Sequence, residues 1–101
     1  MDIYELRVRV LLSAQRALLG EISPDIRAVL CSWKGTGLIV LRVIYDRPVT
    51  AFDRERFSVV ETEMVADFVD FDVVVECSDT NMSGPIEHKE GEVLVYLRSE
   101  L

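Results

Sequence analysis

Residue types able to carry catalysis or hold a ligand are few here: two cysteines, one histidine and 18 carboxylates. Glu61, Glu63 and Asp67 fall within the stretch TAFDRERFSVVETEMVADF, Thr50 to Phe68. Paired carboxylates at such a place would serve acid–base catalysis or a hard cation. The spacing argues against both, because Glu61 and Glu63 are two apart and Glu61 and Asp67 six apart, and such pairs do not meet on one helix face. His88 sits among Glu87, Lys89 and Glu90, which reads as a solvated surface imidazole. The catalytic alternatives are a Cys77–His88 nucleophile pair or His88 acting with carboxylates. Cys77, however, falls on the inward face of an alternating strand, where a thiolate is disfavoured. Gly35 and Gly37 lie in a hairpin turn and not between a strand and a helix, so no phosphate loop is present. The chain contains no CxxC, HExxH or GxSxG pattern. No zinc site, no cofactor and no enzymatic activity are expected from these residues.

Charge is the stronger signal. The formal net charge is −7, and it is unevenly placed: residues 1–50 hold 7 Lys/Arg against 5 Asp/Glu, whereas residues 51–101 hold 4 against 13. Phosphate backbones are bound by lysine and arginine, so a nucleic-acid partner is not expected, and a basic protein is. The expected binding surface comprises Glu61, Glu63 and Asp67 on the central helix, extended by Asp70, Asp72, Glu76 and Asp79. Such a surface complements a basic cleft and steers the encounter by long-range attraction. Trp33 and Tyr45 are candidates for aromatic anchors at its rim or for ordinary core packing.

These groups need a scaffold, and 101 residues, half of them hydrophobic, suit a single domain spanning 1–101. The best apolar run, Leu38 to Tyr45, is interrupted by Arg42 and falls far short of the roughly 20 residues a membrane helix needs. MDIYELRVRV has no basic lead before an apolar block, so no secretory signal is read there, and a cytoplasmic location is expected. Cys31 and Cys77 lie in apolar strand patterns and read as small buried hydrophobes, the rarer alternative being a disulfide.

Periodicity gives the elements. A first helix is expected from Asp2 to Leu19, with Ile3, Leu6, Val10, Ala14 and Ala17 on one stripe and Gly20 as its stop, although Leu6 to Val10 also alternates as a strand would. Val8, Leu12 and Leu19 fall on a different side. Either a loop or sheet edge covers them, or they form a homodimer or partner contact. Ile26 to Trp33 and Leu38 to Tyr45 read as a hairpin around Lys34-Gly35-Thr36-Gly37. With Arg27 and Arg42 on the outer face, Ile26, Ala28, Leu30, Ile39, Leu41, Val43 and Tyr45 would point inward. Thr50 to Phe68 reads as a helix opened by a Thr50–Asp53 variant capping box, its core stripe being Phe57, Val60, Met64 and Phe68, joined by Val65. Phe71 to Cys77 and Glu92 to Arg98 supply two further strands. The connection from Ser78 to Gly91, which includes Asn81, is long enough to be either functional or mobile.

The order αββαββ predicts an α+β fold with one four-stranded sheet and two helices packed on one face. It also arises by moving the first strand of a ferredoxin-like fold to the C-terminus, and strand order stays open. RALLGEISPDIRAV near the start, VETEMVADF in the central helix and the closing VYLRSEL together resemble a family of small bacterial αββαββ proteins of unassigned biochemistry. The resemblance covers nearly the whole chain and implies this fold, with an immunity-like role: some comparable small acidic cytosolic proteins neutralise a toxin, often a nuclease with a basic active site. It supplies no catalytic or binding residue to carry over. The function expected is thus a non-enzymatic protein-binding module, an immunity-like inhibitor, with a homo-oligomeric structural protein as the alternative.

Overall fold

A computed structural model describes residues 2–80 and 84–99; Asn81, Glu100 and Leu101 lie outside the described residues. Helix α1 (Ile3–Leu18) starts where Asp2 Oδ1 accepts the Glu5 backbone N–H at 2.8 Å, satisfying one of the donors a helix start leaves orphaned. The chain leaves α1 through Gly20, whose φ of +79° suits glycine. Leu6, Val10, Ala14, Ala17 and Leu18 are buried. Ile3, placed on that stripe by its spacing, is 73% exposed, because the first turn, residues 2–5, is exposed as a whole.

Strands β1 (Ile26–Lys34) and β2 (Leu38–Tyr45) form the expected antiparallel hairpin, closed by Gly37 N–H donating to Lys34 O. At Gly37, φ is +110° and a Cβ would stand 3.1 Å from the Asp70 carbonyl, so the turn and the start of the next strand crowd each other there. Helix α2 (Ala51–Asp67) opens on a complete capping box: Asp53 N–H donates to Thr50 Oγ1 at 3.2 Å, and Thr50 N–H donates to Asp53 Oδ2 at 2.9 Å. Phe57, Val60, Met64 and Phe68 are buried as their spacing requires, whereas Val65 is 44% exposed on the helix flank.

Strands β3 (Asp72–Asp79) and β4 (Val93–Leu97) complete a mixed sheet of order β3-β2-β1-β4. β3 runs parallel to β2, with α2 as the crossover between them. A permuted ferredoxin-like sheet would be wholly antiparallel, so the parallel pair rules out that arrangement. Both helices pack on one face of the sheet, around Ile26, Val29, Cys31, Ile39, Leu41, Val43, Tyr45 and Val73.

Strand β1 departs from simple alternation. Ile26 pairs with Tyr45 but Ala28 pairs with Ile44, so Arg27 is an extra residue in the ladder. Beyond this bulge the faces exchange: Val29 and Cys31 enter the helix-side core, and Ala28 and Leu30 turn to the other face. The inward positions expected for Ala28 and Leu30 are therefore corrected. Both are still fully buried, under the segment that joins β3 to β4.

Topology explains that segment. β3 and β4 are opposite edges, about three strand spacings or ~14 Å apart, and the chain must cross the sheet to join them. It crosses over the outer face, where Ile86 packs on Ala28, Leu30 and Ile44 and Arg27 Nη1 donates to Gly84 O at 2.9 Å. Arg42 fixes it further, donating from Nε and Nη2 to Glu92 Oε2 and Oε1 at 2.8 and 2.7 Å and to Glu87 O at 2.6 Å. Residues 84–92 thus act as a strap that closes a second, smaller core.

Candidate partner-binding surface

Most arginines are committed to internal carboxylates. Arg47 spans Asp53 (2.7 and 3.0 Å) and Asp25 (3.0 Å) while its guanidinium lies 5.0 Å from the Tyr45 ring centre. That bidentate contact holds the Asp53 carboxyl well below the usual carboxylate range, with the Thr50 cap bonds adding to it. Arg98 binds Asp46 at 2.6 Å and Arg56 binds Glu21 at 3.1 Å. Arg42 likewise lowers Glu92, against the opposing effect of burial. Of the seven acids expected to face a partner, Asp67 alone is paired with an arginine among the described residues.

Glu63 and Asp67, one turn apart, line a groove between the helices with Ser13 and Arg16. Asp67 Oδ2 accepts from Ser13 Oγ at 2.6 Å and from Arg16 Nη2 at 3.2 Å, so much of its charge is already answered. Glu61 lies on the opposite flank of the buried α2 stripe, as 100° per residue requires. Arg54 shares that flank and opposes the effect of burial on the Cys77 thiol, and α2 as a whole packs on β3. Asp70 precedes β3, Asp72 and Glu76 stand exposed on it, and Asp79 ends it. Glu76 is paired with Lys89 of the strap at 4.0 Å. Among the described residues no ion pair engages Glu61, Glu63, Asp70, Asp72 or Asp79. The expected surface is therefore two sets, Glu63 with Asp67 in the interhelical groove and the other five around the β3 edge.

Burial pushes the Cys31 thiol up to about 12, with Glu92 adding to the effect. Cys77, half-buried, is also raised by burial. β2 lies between their strands, a separation of about 10 Å that a disulfide does not span. His88 is exposed on the strap. Among the described residues no group of three or more His, Cys, Asp and Glu is placed to hold a metal ion, and no helix is long and apolar enough to cross a membrane. Tyr45 packs edge-on against Phe57 in the core, whereas Trp33 is half-buried with Arg7 stacked 5.8 Å from its ring centre.

Sequence reasoning missed two features. The Arg42–Glu92 clamp joins residues 50 positions apart, and no local pattern signals it. The other is Tyr4, 78% exposed, which extends the exposed α1 line of Val8, Leu12 and Leu19.

No curated protein sequence matches the chain. A family model does: that of the MafI2 immunity protein, over residues 7–100. This span takes in all four strands, α2 and most of α1. By that match, the chain belongs to the MafI2 immunity protein family.

Proposed function

We propose that this protein is a non-enzymatic inhibitor that neutralises a toxin by occupying a basic surface of it, acting in the cytoplasm of a bacterial cell. One observation carries the reading: Glu21, Asp25, Asp46, Asp53 and Glu92 are spent on arginines, whereas Glu61, Asp70, Asp72 and Asp79, gathered around β3, have no ion-pair partner among the described residues. Unanswered like charges destabilise a fold slightly and are useful when a partner supplies the opposite sign. A nuclease, whose active site must attract phosphate, is one toxin type with such a surface. Glu63 and Asp67 contribute less, since Ser13 and Arg16 already hold Asp67.

The test is protection of cells expressing a candidate toxin, together with complex formation in increasing salt. The unaltered chain should protect, and raising salt from about 0.05 to 0.5 M should weaken the complex by about tenfold or more through slower association. Reversing Asp70, Asp72, Glu76 and Asp79 to lysine should abolish both. If the reversed chain protects and binds undiminished, the acidic surface is not the binding site.

A second reading has its own observation. Tyr4, Val8 and Leu12 stand 78%, 55% and 53% exposed along α1, and an open groove of Leu18, Leu19, Ile22, Val95 and Tyr96 continues this apolar line. No described segment covers it, which favours a homodimer through Val8, Leu12 and Leu19. Sedimentation at micromolar concentration decides: a monomer discards this reading.

A further inference from the structure

The two edges of the sheet are built differently. β4 has five residues and a register shift opposite Val29 and Leu30, and interruptions of this kind blunt an edge against other chains. β3 has eight residues in unbroken register with β2, from Leu38↔Asp72 to Tyr45↔Asp79, and contains no proline, lysine or arginine. At its two ends Asp72 N–H donates to Gly37 O at 2.8 Å and Thr80 N–H donates to Tyr45 O at 3.1 Å. In a parallel ladder the even-numbered residues therefore bond to β2, and the N–H and C=O groups of Val73, Val75, Cys77 and Asp79 point away from it. β2 and α2 are the elements packed on β3, and no described strand lies beside those outward groups.

We propose that the β3 edge takes up an extended, basic segment of the protein partner as a fifth strand. This rests on the inhibitor reading above and adds to it the geometry of docking. Charge selects the occupant. A second copy of β3 would set Asp72, Glu76 and Asp79 against carboxylates of the same kind, and like charges on neighbouring strands repel. A strand bearing lysine or arginine places opposite charges across the ~5 Å strand spacing from Asp72 and Glu76. The outward backbone groups then supply hydrogen bonds indifferent to sequence, while the acids fix the sign of the partner.

Amide exchange in the intact, isotope-labelled chain, followed by NMR, tests this. The probe is a peptide of about eight residues alternating lysine and valine. In the free chain the amides of Val73, Val75 and Cys77 should exchange faster than those of Val74, Glu76 and Ser78. Adding the peptide at millimolar concentration should slow the odd-numbered amides about tenfold and leave the even-numbered ones unchanged. A second peptide, N-methylated at alternate residues along its pairing edge, keeps every charge and should lose this effect. Three results would overturn strand addition: equal binding of the methylated peptide, binding without slowed exchange at the odd-numbered amides, or no binding of the lysine peptide. The inhibitor reading fails separately, when the unaltered chain does not protect against the toxin; a protective complex in which these amides stay fast removes only the strand geometry.

Discussion

Replacing Glu92 by glutamine tests whether the strap is held by charge. Arg42 and Glu92 have side chains only 11% and 4% exposed. The guanidinium meets both carboxylate oxygens, and Glu92 Oε1 also accepts the Lys89 backbone N–H at 2.6 Å. Breaking a fully buried pair by removing one partner costs about 3–5 kcal/mol, mostly from the charge left behind. Here Arg42 retains its bond to Glu87 O and some access to water, and glutamine still offers one acceptor. The expected loss is therefore about 2–4 kcal/mol, a large share of the stability of a domain this size. In a thermal melt this corresponds to a fall of roughly 10–25 °C. Urea denaturation of the variant measures the loss directly, and amide exchange of residues 84–92 shows whether the strap lifts first. A double-mutant cycle isolates the pair: with Arg42→Met already in place, Glu92→Gln should cost less than about 1 kcal/mol, since no buried cation remains to strand. A loss below about 0.5 kcal/mol for Glu92→Gln alone, or fully additive effects in the cycle, would refute the clamp.

Acid should weaken the fold in a predictable direction. Asp53, lowered by Arg47, and Glu92, lowered by Arg42, both bind fewer protons folded than unfolded; their stabilisation is thus complete above about pH 5 and is lost as pH falls through about 4 and below. Denaturation at several pH values checks this, and Asp53→Asn should flatten the decline; an unchanged slope would count against the Arg47 contact. On α2, Met64→Ala should cost about 2–5 kcal/mol at a fully buried site, whereas Val65→Ala should stay within about 0.5 kcal/mol. Equal losses would put the core stripe on the wrong flank.

Local signals carried much of the architecture. The Thr50–Asp53 capping box, the Phe57, Val60, Met64 and Phe68 stripe, and the Lys34–Gly37 turn each involve residues a few positions apart, and their chemistry is complete within that span. The hairpin and both helices follow from such signals alone. Alternation in β1 misled at one point, because a single extra residue, Arg27, exchanges the faces of Ala28, Val29, Leu30 and Cys31, and nothing in the local apolar pattern marks where a bulge falls.

The sequence by itself determined the element order, the caps and the sign of the charge, since these depend on neighbours in the chain. Tertiary structure alone decided that β3 is an edge parallel to β2, that residues 84–92 strap the outer face, and which acids are answered by arginines. Each of these joins residues far apart in the chain, as Arg42 with Glu92 or Ser13 with Asp67. Such pairings are set by how the helices and sheet bury apolar surface, and the free acids around β3 are what that packing leaves over.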